Sequence, residues 1–463
     1  MNEMKDDRVH SSSSSATIYD FPEEILLMIA GQVNKSSGKY YEDIRNLCFV
    51  KPFARQATEV LYSRIYVDKV DVSMLLATIL HNPKLGDLIK HINKGSYDQR
   101  DVHLNLREAT IITEHIKSLD FDEEITSALI APLQQSFLET FTWQERVQTK
   151  DRTAICFMLL IKQCPKIRSL SIEPDFHSNQ LLLPYQAVTW SLAFQPQGSP
   201  MRSTESSGYT NLRSIVVDGS ALKVKDIIPL FRLTALRDLT IYFLVDLESP
   251  LDLVSSQLEV GASSITSLRF IDCNIGTENM SALIRACNTL HIVGCLWDNK
   301  LPKSAWDFTM IIETLHRYQA SLRKLHVNDP LKRGTKTVVQ SFANFSALET
   351  ISIPAHLIYT RRGPWNPLST VFPPALQEIA ILDTWMDLAN SMESADGVFS
   401  IMVGNTKTIF PELKTIVVFR SYHHDRDIHL SHTLKEEFKR RKIMFYTSHV
   451  ENKTEFLNDL LSI

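Results

Sequence analysis

The sequence has few of the features that mark enzymes, membrane proteins or secreted proteins. Its 463 residues include six cysteines and no C-x-x-C pair, which in a chain of this length indicates small core residues and not a disulfide framework. The longest apolar runs, such as 154–161, are far shorter than the ~20 residues that span a bilayer. The first residues lack the apolar stretch of a signal peptide. The sequence therefore predicts an intracellular protein, cytoplasmic and/or nuclear, that does not contact a membrane.

A strong charge of one sign is also missing. The 49 Lys and Arg residues nearly balance the 53 Asp and Glu residues, which leaves a net charge of -4 and no basic surface for DNA or RNA. The sequence contains no G-x-S-x-G, H-E-x-x-H or G-x-G-x-x-G motif. We therefore expect a protein that binds no nucleic acid, needs no cofactor and is not an enzyme.

One segment, 423–432, carries side chains of the types that bind metal ions. They are His423, His424, Asp425, Asp427, His429 and His432. A zinc site needs about four ligands that converge tetrahedrally, and this segment has no Cys partner and no second, distant pair of ligands. We interpret it as an exposed polar loop. An enzyme that uses a metal in this loop is the alternative.

The segment 17–67 has the pattern of three short helices. Asp20 and Glu23 stand as in a capping box, and Pro22 falls in the first turn, where a missing N–H costs nothing. Apolar residues then recur at helical spacing within 25–33, 44–50 and 53–61. A unit of about fifty residues rarely buries enough surface to be stable alone, since a core this small supplies only ~3–5 kcal/mol. Its apolar faces therefore require a neighbour.

This segment resembles an F-box, particularly the fungal form. The matching residues are Phe21-Pro22-Glu23-Glu24-Ile25-Leu26, Ile29, Asp43-Ile44-Arg45-Asn46-Leu47-Cys48-Phe49-Val50, Phe53, Ala57 and Leu61-Tyr62. Phe21 stands where the family usually has Leu, and the stretch from Val50 to Phe53 is one residue shorter than usual. The alternative to an F-box is a helical cap that packs on the rest of the chain.

The resemblance implies a partner. F-box segments dock on the Skp adaptor of SCF ubiquitin ligases and, through it, join a cullin-RING ligase. By position, the residues implied to face the adaptor are Phe21, Pro22, Ile25, Leu26, Ile29, Leu47, Val50, Phe53, Leu61 and Tyr62.

Two segments flank this unit. Residues 1–16 contain five consecutive serines and no apolar periodicity, so we expect a disordered tail. Residues 68–163 are predicted to form a helical linker, with helices at 70–80, 104–119, 123–138 and 150–163. Within this linker, 83–92 resembles the start of a degenerate repeat that often follows fungal F-boxes.

From Cys164 onward the pattern apolar-x-x-apolar-x-apolar occurs nine times. The middle residues are Leu170, Ile215, Leu239, Leu268, Val293, Leu325, Ile351, Ile379 and Ile416. Most are 24–32 residues apart, close to the period of a leucine-rich repeat. The longer steps hold insertions at 195–210 and 392–408. Each unit would supply a short strand and then a helix or turn, because no repeat can bury its apolar face alone.

The predicted fold is therefore α/β. A small three-helix F-box precedes an irregular leucine-rich-repeat solenoid at 164–463, with a curved parallel sheet and helices on its convex side. Alternate strand residues would face the concave surface, the usual binding side of a solenoid. The candidate substrate-binding residues on it are Asp238, Tyr242, Arg269, Lys324 and His326.

The concave lining is mixed in character. A phosphate is best held by several Arg side chains, and only Arg269, Lys324 and His326 on nearby strands hint at such a cluster. The sequence thus predicts the substrate-receptor subunit of an SCF-type ubiquitin ligase, which recruits an unknown protein substrate through the solenoid. The alternative is a repeat scaffold that binds a partner without delivering it to a ligase.

Overall fold

The computed structural model describes most of the helical N-terminal half and the strands of the repeats. The described residues are 21–32, 40–67, 70–94, 106–119, 121–134, 143–172, 193–194, 209–246, 248–250, 252–296, 308–327, 341–354, 371–383, 410–420 and 432–449.

Within these residues the helices follow the predicted order. They are α1 (Glu23–Gln32), α2 (Tyr40–Cys48), α3 (Ala54–Ser63), α4 (Val72–His81), α5 (Leu106–Ser118), α6 (Glu123–Gln134), α7 (Trp143–Lys162), α8 (Val224–Phe231), α9 (Leu253–Gln257), α10 (Thr277–Ala286), α11 (Phe308–Leu315) and α12 (His432–Arg440). The helix predicted at 150–163 begins earlier than expected, at Trp143.

The strands are short, as the repeat pattern predicts. They are β1 (Arg64–Tyr66), β2 (His91–Lys94), β3 (Ser169–Ile172), β4 (Ser214–Asp218), β5 (Asp238–Tyr242), β6 (Val245–Asp246), β7 (Ser267–Ile271), β8 (Asn274–Ile275), β9 (Ile292–Leu296), β10 (Lys324–Val327), β11 (Thr350–Pro354), β12 (Glu378–Asp383), β13 (Thr415–Arg420) and β14 (Met444–His449). All except β6 and β8 form one parallel sheet in chain order, while β6 and β8 pair with each other. The fold is thus mixed α/β with a long parallel sheet, as in a solenoid.

The strand register confirms the predicted repeat. The nine predicted middle residues stand opposite one another from Leu170 on β3 to Ile416 on β13. Each of them is at most 1% exposed. The row begins earlier and ends later than the nine, because Ile65, Ile92 and Phe445 occupy the same position on β1, β2 and β14.

The sheet therefore includes two strands that precede Cys164. Helices α5, α6 and α7 lie in the chain between β2 and β3, which makes that step far longer than a repeat. Nothing in the packing separates the two parts, since Ile92 and Leu170 are both buried and belong to one continuous core. The boundaries predicted at 68–163 and 164–463 remain a prediction.

One face of the sheet, here called the first face, packs against the helices that follow the strands. Helix α8 contributes Ile227, Ile228 and Phe231 to this core, and α10 contributes Leu283 and Ile284. The repeat pattern predicts a helix or turn after each strand, and α8 and α10 are two such helices. The alternate strand residues point to the opposite face, here called the second face, which corresponds to the predicted concave surface.

The chain leaves two of the strands through left-handed residues. Phe243 follows β5 with φ 53°, and Asp272 follows β7 with φ 54°. The bend is stabilised after β7 by Cys273, whose Sγ donates to the carbonyl oxygens of Ile241 at 3.3 Å and Ile271 at 3.5 Å. Cys273 thus turns inward after the strand and is fully buried.

Helices α1, α2 and α3 form a unit with its own small core of Leu26, Phe53 and Ala57. Helix α3 belongs to both parts of the molecule, because it runs directly into β1 at Arg64. Its C-terminal end is fixed to the repeats, where the backbone N–H of Lys90 donates to the Ser63 carbonyl at 3.0 Å.

Candidate functional site

Large apolar side chains on the surface concentrate in the three-helix unit. Among the described residues, eleven large apolar side chains are exposed, and six of them lie within 21–50. They are Phe21, Ile25, Met28, Ile29, Phe49 and Val50. Scattered apolar residues are normal on a protein surface, but a cluster of them marks an interaction site.

Helix α1 is apolar on two sides. Leu26 and Ala30 point into the small core of the unit and are at most 7% exposed. Ile25, Met28 and Ile29 are spaced three and four residues apart, so they share the other side of the helix, and they are 37–63% exposed. We call these three residues the α1 apolar face. Together with Gln32 they line a shallow, open groove.

The ten residues implied to face an adaptor differ in exposure. Phe21, Pro22, Ile25, Ile29 and Val50 are exposed, Leu47, Leu61 and Tyr62 are half-buried, and Leu26 and Phe53 are buried within the unit. The role of these residues in adaptor binding remains a prediction.

Two exposed residues of this surface, Met28 and Phe49, are not among the ten residues implied to face an adaptor. Met28 lies three residues after Ile25 and could have been found from that spacing. Phe49 directly follows the last residue of α2, where no periodicity places a side chain.

The second face of the sheet carries a row of polar residues across neighbouring strands. Register places Thr240 of β5, Arg269 of β7, Gly294 of β9, His326 of β10 and Ser352 of β11 opposite one another. We call Arg269, Gly294, His326 and Ser352 the second-face row.

Gly294 makes room for Arg269. A Cβ atom on Gly294 would lie 3.2 Å from Cγ and 3.7 Å from Cδ of Arg269. The Arg269 side chain therefore crosses β9 over Gly294, toward the strand that carries His326. Burial lowers the pKa of the Arg269 guanidinium, and the nearby Asp238 and Tyr242 oppose this shift. Arg269 stays charged at any ordinary pH because an Arg side chain starts from a pKa above 12.

His326 is neutral at neutral pH. It is 2% exposed, and burial lowers its pKa to about 3, with further lowering by the charges of Arg269 and Lys324. Its Nδ1 atom has no hydrogen-bond partner in the described structure, and neither have Arg269 Nε, Ser267 Oγ and Ser352 Oγ. A buried polar atom without a partner costs roughly 1–3 kcal/mol, so the three in the second-face row, on Arg269, His326 and Ser352, indicate a site for a hydrogen-bonding group.

All five residues predicted to bind substrate lie on this face. Asp238 and Tyr242 are on β5, Arg269 is on β7, and Lys324 and His326 are on β10. The structure thus places them within four consecutive strands of the sheet, β5, β7, β9 and β10. Substrate binding by them remains a prediction.

The cysteines have the environment of core residues. Burial raises the pKa of the Cys156, Cys287 and Cys295 thiols to about 12, which keeps them protonated and unreactive at neutral pH. Across the described ranges, no group of three or more His, Cys, Asp or Glu side chains could hold a metal ion. The predicted polar loop at 423–432 lies outside these ranges except for His432, the first residue of α12.

No protein-family model matches the sequence, and no curated protein matches it. The chain is similar to an internalin from Listeria monocytogenes whose crystal structure is known, with 11% identity, coverage of 82% of this chain and 95% of the internalin, and a TM-score of 0.23. A TM-score this low does not establish a shared fold, and the fold is defined by the strand register above. In the part of the chain that the structure describes, no helix combines the length and apolarity needed to cross a membrane.

Proposed function

We propose that the chain is the substrate-receptor subunit of an SCF-type ubiquitin ligase. The α1 apolar face is the observation that carries the proposal. It is a solvent-exposed apolar surface on the same helix whose sequence resembles the first helix of an F-box. A partner that covers this face would complete the burial that so small a unit needs.

The proposed mechanism is positional. The helical unit would hold a Skp-type adaptor, and the second face of the sheet would hold a protein substrate. The continuous path from α3 into β1 supports this mechanism, because it limits the motion of one binding surface relative to the other. A target held near the ligase reacts at a high effective concentration. The other ligase subunits would carry out the transfer of ubiquitin.

Binding of the purified Skp adaptor tests the role of the α1 apolar face. We expect the double variant Ile25→Asp with Ile29→Asp to bind at least about 100-fold more weakly, since burying each Ile contributes about 1.5–3 kcal/mol. Met74→Asp is the matched control, because Met74 is 58% exposed on α4, outside the unit.

Unchanged adaptor affinity in the double variant would remove the α1 apolar face from the interface. If the wild-type chain itself does not bind the adaptor, the proposed function fails. The three helices would then be a cap on a repeat protein that binds a partner without delivering it to a ligase.

A further inference from the structure

We propose that Arg269, His326 and the Ser352 hydroxyl form a site that binds one carboxylate of an acidic segment in a partner protein. The inference rests on the proposed function, in which the second face holds the substrate, and it adds the chemistry of that substrate. The site lies at the crossing of Arg269 over Gly294.

The hydrogen-bonding groups of this site match a carboxylate. Arg269 Nε and the Ser352 hydroxyl can donate, and each lacks a partner in the described structure. A carboxylate has two oxygens that accept several hydrogen bonds and pairs with the fork of a guanidinium. The neutral His326 ring can donate from Nδ1 to the same group, since one ring nitrogen of a neutral histidine carries a proton.

The charges favour a carboxylate over a phosphate. Lys324 lies close enough to Glu378 to act on its charge, and these two charges offset each other. The charge of Asp238 acts on Arg269, but Asp238 is exposed, so water screens its charge. Arg269 is half-buried, so its own charge is screened less. The patch therefore holds about one positive charge that is not balanced inside the protein. A carboxylate balances it, and a dianionic phosphate would leave a negative charge in a poorly solvated place.

Partly exposed side chains border the site. Arg269, Tyr242 and Lys324 are only partly buried, while His326 and Ser352 lie at the bottom of the row. Because His326 and Ser352 are at most 2% exposed, an acidic side chain would reach them only after the partly exposed Arg269 side chain shifts. A Glu or Asp side chain and a C-terminal carboxylate share this chemistry, and the experiment below separates them.

A library of random twelve-residue peptides displayed on phage tests the proposal on the full-length chain. The expected result is enrichment of Asp or Glu at one fixed position. Selection on Arg269→Gln should lose this enrichment, and selection on Arg213→Gln should keep it. Arg213→Gln is the control because it also removes one positive charge, but from an exposed residue just before β4. A wild-type selection that shows no acidic preference would overturn the proposal.

Fluorescence anisotropy with the selected acidic peptide then measures the site. We expect Arg269→Gln to weaken binding about 10- to 100-fold. Gly294→Leu should weaken it as well, since its side chain would displace that of Arg269, while Arg213→Gln should not. Amidation of the peptide's C-terminus weakens binding only if the terminal carboxylate is the ligand. Tighter binding after the acidic residue is replaced by phosphoserine would overturn the carboxylate in favour of phosphate.

The carboxylate site and the ligase function can be tested separately. Arg269→Gln and Gly294→Leu should bind the Skp adaptor with wild-type affinity, because both residues lie in the repeats, far along the chain from α1. A thermal unfolding midpoint close to that of the wild type checks that the repeats of the variants are folded. Acidic enrichment without adaptor binding would support the carboxylate site and reject the ligase function. Adaptor binding without acidic enrichment would support the ligase function and reject the carboxylate site.

Discussion

Ile25 and Leu26 are neighbours in α1 and have opposite environments. Leu26 is 7% exposed and packs with Phe53 and Ala57, whereas Ile25 is 37% exposed. A helix with apolar residues on both sides stabilises its own unit with one side and leaves the other for a partner. The two substitutions therefore separate folding from binding.

We predict that Leu26→Ala lowers the stability of the helical unit by about 2–5 kcal/mol, the usual cost of removing a buried Leu. Ile25→Ala should cost less than about 1 kcal/mol because that side chain is already in water. Hydrogen exchange of peptides from α1, α2 and α3 measures both. Equal loss of protection in the two variants would contradict the assignment of the two faces.

His326 gives the molecule a dependence on acid. Its pKa is about 3 in the folded chain and about 6.5 when unfolded, so the unfolded chain binds one more proton between these values. Stability from this residue is complete above pH ~6.5 and is lost as the pH falls toward the folded pKa. From pH 7.5 to 5 the loss should be roughly 2 kcal/mol.

Urea unfolding of the wild type and of His326→Gln, at the two pH values, measures this effect. The difference in stability between the two proteins should shrink at the lower pH by about the same 2 kcal/mol, which separates His326 from His91 and His115, whose pKa values burial also lowers. A difference that does not change with pH would show that His326 is not buried in its neutral form.

The sequence predicted which residues of α1 are apolar but not which side of the helix is buried. When both sides of a helix are apolar, periodicity does not show which side is buried. The resemblance therefore implies the same role for the buried Leu26 and Phe53 as for the exposed Ile25. Gly294 carried no chemical signal either. Its importance lies in the side chain that it lacks, and only the register with Arg269 reveals it.

At the scale of elements, α3 and β1 join the helical unit to the sheet. Lys90 Nζ and Glu59 Oε1 lie 3.0 Å apart across this junction, but both are partly exposed, so the pair contributes well under 1 kcal/mol. The backbone connection and the pairing of β1 with β2 matter more.

We predict that a chain beginning at residue 54 keeps a monomeric, cooperatively folding repeat region, because it retains α3 and β1. A chain beginning at 68 loses β1 and the burial of Ile65 against β2, so it should unfold at a lower temperature. Light scattering and thermal unfolding of both truncations measure this. Identical behaviour would contradict the place of β1 in the sheet.

The row of buried strand residues predicts a second effect at this scale. Leu268 is fully buried in β7, and Leu268→Ala should cost about 2–5 kcal/mol. Because each repeat contacts only its neighbours, hydrogen exchange should increase most in β5, β7 and β9 and little in β2 or β13. Val260→Ala is the control, since Val260 is 56% exposed. A uniform increase along the whole sheet would contradict a solenoid.

The repeat was predictable because each strand places an apolar residue at the same point of a fixed pattern. The nine occurrences of the pattern do not include β1 and β2, and this has a physical reason. Helices α5, α6 and α7 separate β2 from β3 in the chain, and β1 follows α3 directly. The spacing along the sequence is therefore irregular at β1 and β2, although their register in the sheet continues that of the later strands.

At the scale of the whole molecule, the proposed function requires two binding surfaces. The α1 apolar face would hold the ligase and the second-face row would hold the target. Neither surface needs chemistry of its own, since a receptor acts by bringing a target lysine close to the transferring subunits.

The most direct test is reconstitution of the full-length chain with purified Skp adaptor and cullin-RING subunits, followed by size-exclusion chromatography with light scattering. The account predicts a single complex that contains all of these subunits. It also predicts that the Ile25→Asp, Ile29→Asp variant elutes alone. A chain that elutes apart from the adaptor, or that binds the adaptor while excluding the cullin, would contradict the account and leave a binding scaffold.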